Sequence, residues 1–145
     1  MVDISAKAVT RRVARAAARL EMGTKAFQAL LTQGSPKGDV FETARIAGIM
    51  PAKSTPAIVP MCHPLELSQV RIAFETRKRD SAIVVTSEVV CRGRTGVEME
   101  ALAAVAAAAL TIYDMMKWAD HAMVIAEIRL LHKSGGKSGT FSREK

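Results

Sequence analysis

Aromatic side chains are nearly missing from this chain: one Trp, one Tyr and four Phe make up 4% of its 145 residues. A protein that holds single-stranded nucleic acid by base stacking needs more of them. The core must instead be built from Ala, Val, Ile, Leu and the eight Met. Cysteine is as scarce, and Cys62 and Cys91 show no framework spacing. That excludes a disulfide scaffold and predicts reduced thiols in a cytoplasmic protein. With His63, His121 and His132 they form no C-x-x-C and no H-x₃₋₅-H pair, so neither a metal nor another cofactor is expected. No apolar run reads as long enough to span a bilayer and the start lacks a signal-peptide pattern, so no membrane association is expected. Acidic residues are the minority, 14 against 21 basic, for a net charge of +7.

That excess predicts an anionic partner. The basic residues are dispersed, with groups at Arg11, Arg12, Arg15 and Arg19 and again at Lys133, Lys137, Arg143 and Lys145. Such scatter suits a small polyphosphate gathered by several segments as well as it suits nucleic acid.

What is present in abundance is alanine. Seven alanines lie between Glu100 and Leu110, and alanine loses least on becoming helical. Thr95-Gly96-Val97-Glu98 matches a capping box, so a helix is predicted over Thr95–Lys117. Its alanine surface allows another backbone to approach closely, which predicts burial. Its charges sit at the two ends: Glu98 and Glu100 at the start, Asp114 and Lys117 near the finish. At 1.5 Å per residue, Glu98 and Asp114 lie about 24 Å apart along the axis. One such helix cannot bring both ends to one small molecule. Two copies packed antiparallel about a two-fold axis can.

Elsewhere Val9–Met22 fits a helix by its Ala and Arg content and a strand by alternation. Thr24–Leu31 reads as a short helix ended by Gly34-Ser35-Pro36. Asp39 reads as the N-cap of Val40–Met50, with Phe41, Ala44, Ile46 and Ile49 as its buried positions. Pro51, Pro56 and Pro60 break the chain beyond Met50 into short pieces. Val70–Thr76 and Ala82–Val90 form a hairpin, Met123–Leu131 is the last strand, and a Gly/Lys-rich tail from about Lys133 to Lys145 is expected to be mobile. With the first segment as a strand, the order is β-α-β-β-α-β, the ferredoxin-like unit: an α+β fold with an antiparallel sheet and helices on one face. No linker divides the chain, so residues 1–145 read as a single domain.

Several groups carry possible chemistry. Asp114 and Lys117, three apart on one helical face, are either an acid/base pair or an exposed ion pair. Glu98 is explained by capping; Glu100 is not, and can accept hydrogen bonds from a purine edge or be a solvated helix residue. His63, beside Pro64, can grip a phosphate, transfer a proton or serve the structure alone. Lys133-Ser134-Gly135-Gly136-Lys137-Ser138-Gly139 is not a Walker A loop, because Leu131 stands where that motif needs glycine and no helix follows. Its glycines and lysines can still wrap phosphates. Lys37, just before a helix start, is placed to meet an anion there.

Taken together, KGDVFETARIAGI (37–49), CHPL (62–65), TGVEMEAL (95–102), LTIYDM (110–115) and KSGGKSG (133–139) resemble the MoaC family, the cyclic pyranopterin monophosphate synthases of molybdenum cofactor biosynthesis. The resemblance runs from Val2-Asp3-Ile4-Ser5 almost to the end. It implies a lyase that converts 3′,8-cyclo-7,8-dihydroguanosine 5′-triphosphate to cyclic pyranopterin monophosphate with release of pyrophosphate. It also implies a ferredoxin-like fold and a hexamer, a trimer of dimers with each site at a subunit interface, and it favours a strand for Val9–Met22. By motif, Asp114 and Lys117 take the catalytic positions. Arg12, Lys37, Met61, Cys62, His63, Glu98, Met99, Glu100 and Lys133 match substrate contacts, and Lys137 is added for its place in the tail. Met116 departs from the pattern, standing where a cysteine is common. No nucleic-acid partner is then expected. The competing class is a basic module that holds RNA or a nucleotide without reacting it.

Overall fold

A computed structural model describes residues 1–143; Glu144 and Lys145, the end of the tail, lie outside the described residues. The first segment is a strand, β1 (Thr10–Glu21). Its period is two: Ala14, Ala16, Ala18 and Leu20 enter the core, while Arg15 and Arg19 sit on the alternate face, as successive strand side chains must. Two helices come next, α1 (Thr24–Thr32) and α2 (Val40–Lys53), then β2 (Leu67–Arg77), β3 (Ala82–Gly93), α3 (Glu98–Met116), β4 (Val124–Ser134) and β5 (Phe141–Ser142). The strands form one sheet in the order β2-β3-β1-β4-β5, and every neighbouring pair is antiparallel. The class is α+β. Both helices expected between β1 and β2 are present, one more than the six-element order counts, and β5 is a fifth strand beyond the four expected.

The long helix α3 lies across β1, β3 and β4, and α2 lies against α3 and β2. By length and composition α3 is apolar enough to cross a bilayer, contrary to expectation. It places Ala101, Ala104, Val105, Ala108, Ala109 and Ile112 in the core instead. The open face of the sheet carries ion pairs such as Arg15–Glu88 at 2.7 Å.

Four local expectations are corrected. The capping box does not form: α3 begins at Glu98, its N-cap is Val97, and no side chain caps it. Val97 is fully buried, so its apolar burial sets the helix start ahead of the Thr95 hydroxyl. Along α2 the buried residues are Val40, Ala44, Gly48 and Ala52, whereas Ile46 is 61% exposed. Spacing of four keeps one face against α3, and a Cβ on Gly48 would lie 2.8 Å from the Ala104 carbonyl oxygen. Smallness selects that face, because only a narrow stripe lets the two backbones meet. Pro51 does not break α2; the helix runs on to Lys53, and the Ser54 and Thr55 hydroxyls donate to the carbonyls of Met50 and Pro51 at 3.0 and 2.9 Å. Finally, the tail folds back, with β5 pairing Phe141 and Ser142 to Lys133 and His132.

Candidate functional site

The residues with chemistry gather at the two ends of α3. At its C-terminal end the Asp114 carboxylate lies between two ammonium groups. Lys37 Nζ is 2.6 Å from Oδ2 and Lys117 Nζ is 2.8 Å from Oδ1. Lys117 arrives by helical spacing, three residues on. Lys37 arrives from the loop between α1 and α2. There the Gly38 amide donates to the Ser35 carbonyl at 3.0 Å, and Gly38 takes a φ of 111° that suits glycine. The Ser35 hydroxyl donates to the Met115 carbonyl at 2.7 Å, which ties this turn to α3. Lys37 also donates to the Asp114 carbonyl at 3.3 Å.

Hydrogen bonds from Lys117 first, then from Lys37, hold the Asp114 carboxyl down to about 2. The same contact raises Lys117 above the usual lysine value. At neutral pH Asp114 is therefore a carboxylate and Lys117 an ammonium ion. Lys117 and Asp114 side chains are 48% and 52% exposed, so within one chain the pair stands on open surface.

At the N-terminal end lie two adjoining cavities that share Thr95, Gly96 and Glu98 as a wall. The larger, about 1000 Å³, is lined by Lys7, Arg12, Arg94, Lys133 and Lys137 against the one carboxylate of Glu98. Glu98 folds back so closely over Gly96 that a Cβ there would collide with its Oε2. Arg12 is only 9% exposed. Its Nε and Nη2 donate to the carbonyls of Gly93 and Arg94, each at 3.3 Å. A Cβ on Gly136 would collide with its Nη1. Arg12 thus clamps the β3–α3 loop and the glycine turn of the tail together while lining the cavity.

The smaller cavity, about 210 Å³, is lined by Met61, Cys62, His63, Met99 and Glu100. Glu100 is 3% exposed and forms no ion pair among the described residues. Burial drives its carboxyl above the ordinary value, Glu98 adds to this, and its own amide opposes it. Burial, then the charge of Glu100, also raises the Cys62 thiol. Cys62 is therefore a neutral thiol at pH 7, a weak hydrogen-bond partner and no ready nucleophile.

The chain brings Arg12, Met61, Cys62, His63, Glu98, Met99, Glu100, Lys133 and Lys137 to one end, and Lys37, Asp114 and Lys117 to the other. Sixteen residues of α3, about 24 Å, separate Glu98 from Asp114. Arg94 and Lys7, which line the basic cavity, are absent from the residues expected from sequence. Their only signal there is a positive charge just before α3 and just before β1.

The MoaC family model matches residues 1–136. Three curated relatives carry the name cyclic pyranopterin monophosphate synthase. One from Desulfatibacillum aliphaticivorans is 54% identical over 144 residues, 99% of this chain and 91% of its own length. One from Magnetococcus marinus is 50% identical over 144 residues, covering 99% of this chain and 88% of the relative. One from Rhodospirillum rubrum is 50% identical over 142 residues, covering 98% and 86%. With the motifs of both helix ends inside the matched span, the chain belongs to the MoaC family.

Proposed function

We propose that this chain is a lyase of molybdenum cofactor biosynthesis, converting 3′,8-cyclo-7,8-dihydroguanosine 5′-triphosphate to cyclic pyranopterin monophosphate and pyrophosphate. Family membership supports the reaction. The observation that carries the site is the division of chemistry between the ends of α3, each end incomplete alone. A purine derivative needs a compact pocket with hydrogen-bonding groups, which Met61, Cys62, His63, Met99 and Glu100 supply. A triphosphate with about four charges needs several cations, each giving charge-assisted hydrogen bonds; Arg12, Lys133 and Lys137 supply these next door, across Glu98. The rearrangement needs protons delivered and removed, and for that the Lys37–Asp114–Lys117 group is required.

These groups meet when two chains pack antiparallel, so that the start of one α3 faces the finish of the other. A hexamer built as a trimer of dimers satisfies this, with the site at a subunit interface. Lys117 enters as an ammonium ion, because the Asp114 carboxylate beside it keeps its proton on. Its first act is then proton donation, and its charge also steadies the departing pyrophosphate. Asp114 accepts and orients; Lys37 holds its other oxygen. Free thiols at Cys62 and Cys91 suit the reducing cytoplasm in which this reaction would run.

The test is an assay of pyrophosphate and cyclic pyranopterin monophosphate from the cyclised nucleotide, with GTP as the control. Product from the first and none from GTP is expected. Salt-sensitive binding of unrelated RNA or nucleotides without turnover would return the chain to the class of binding modules.

A further inference from the structure

The segment before β1 is folded, not frayed. The Ser5 amide donates to the Asp3 carboxylate at 2.8 Å, and the Lys7 amide donates to the Ile4 carbonyl at 3.0 Å. Those two bonds make a compact turn of residues 3–7. Arg94 then latches the turn to the body: its Nη1 donates to the carbonyls of Ser5 and Lys7 at 2.7 and 2.5 Å. Arg94 is itself held, since its own carbonyl accepts from Arg12 Nη2 at 3.3 Å. The run of contacts goes Arg12 to the Arg94 backbone, then the Arg94 side chain to the backbone of residues 5 and 7. At its end Lys7 lines the basic cavity together with Lys133 and Lys137.

We propose that Lys7 is a further phosphate-binding residue of this site and that Arg94 is the positioning residue that presents it. The inference rests on the proposed function only in taking the basic cavity as the polyphosphate end. A flexible chain terminus would spread the Lys7 charge through solvent. Two hydrogen bonds from one guanidinium to the carbonyls on either side of Ala6 hold it at the cavity rim, where a triphosphate gains a charge-assisted contact at reduced ordering cost. Arg94 spends its Nη1 on main chain, and through that contact it positions Lys7.

The probe is inorganic tripolyphosphate, titrated calorimetrically into the full chain without metal, in low and in moderate salt. Lys7→Ala should weaken binding about tenfold, the loss of one charge-assisted contact, with the gap narrowing as salt rises. Lys7 is exposed, so this variant leaves the fold intact. Arg94→Ala should weaken binding to a similar degree and Arg94→Lys should recover part of it. The double variant should bind no worse than Lys7→Ala, because both changes remove one contact. Unchanged binding in Lys7→Ala while Lys133→Ala is weakened overturns the role of Lys7 and leaves the site standing. Additive losses in the double variant overturn the positioning role of Arg94. Tripolyphosphate that fails to bind even the parent chain removes Lys7 and the polyphosphate end together. Normal tripolyphosphate binding without turnover counts against the proposed reaction alone.

Discussion

Lys37 and Lys117, eighty residues apart in the chain, hold opposite oxygens of one carboxylate, at 2.6 Å from Oδ2 and 2.8 Å from Oδ1 of Asp114. A loop lysine and a helix lysine sharing one anion make a fixed charge group on otherwise open surface. An exposed ion pair of this kind adds little to stability, so its arrangement matters for what it does to protons.

Replacing Lys117 by Ala should lower turnover by about 10²- to 10⁴-fold, the range of a lost acid/base group. Circular dichroism and the thermal midpoint should stay those of the parent. The Asp114 carboxyl is depressed from 3.8 to about 2. A depressed carboxyl contributes above its unfolded value and is lost only as pH falls through its folded one. The pair therefore stays ionised from about pH 4 upwards, until the raised Lys117 titrates. The fold-loss in Lys117→Ala should be the same at pH 5 and pH 8. A loss that vanishes at pH 5 would contradict the ion pair as drawn.

Glu100 has the opposite sign. Its folded value is raised by burial, so it contributes stability while protonated, and that contribution fades as pH climbs from the unfolded value through the folded one. Glu100→Gln keeps the shape and removes the titration. Its thermal midpoint should match the parent near pH 4 and exceed it at pH 8. A constant difference across that range would mean that the carboxyl stays ionised and is satisfied by a partner in the folded protein.

Two glycines are set by proximity. A Cβ on Gly48 would collide with Ile72 Cδ1 and lie 2.8 Å from the Ala104 carbonyl, so Gly48→Ala must push α2 off α3. Overpacking of this kind costs about 1–3 kcal/mol, measurable by urea unfolding. Gly136 has a φ of 78° and presses on the Arg12 guanidinium. Gly136→Ala should displace Arg12 and weaken tripolyphosphate binding, whereas Gly139→Ala, with open space around it, should cost only the backbone strain of about 1 kcal/mol. Equal effects at the two glycines would remove Arg12 from the cavity wall.

Features whose causes are local in the chain are legible from sequence. Asp39 caps α2 by accepting from the Glu42 amide at 2.9 Å, three residues away, as its residue type predicts. The β2–β3 hairpin arises from β-branched runs around a polar turn. Val9–Met22 is ambiguous in sequence because its Ala and Arg content favours helix while its alternation allows a strand; pairing with both β3 and β4 decides it. The start of α3 departs from expectation because Val97 burial is a tertiary effect, and Ile46 because hydrophobicity says nothing about close approach at Gly48. Eleven of the twelve candidate site residues come from motif and Lys137 from its place in the tail, and their split into two groups follows from the pitch of α3. Arg94 and Lys7 escape a sequence reading because the hydrogen bonds that join them span 87 residues, and nothing in either local stretch announces them.

The central claim, that two chains share each site, is tested most directly by mixing two dead variants. Lys117→Ala removes the acid/base end and Lys133→Ala the phosphate end. In a mixed pair one site collects both lesions and the other collects neither. Co-refolding the two in equal amounts should therefore restore up to about a quarter of parental turnover, since half the pairs are mixed and half their sites are intact. If mixed assemblies form, as shown by distinct affinity tags on the two variants, and turnover stays absent, each site lies within one chain and the account is contradicted.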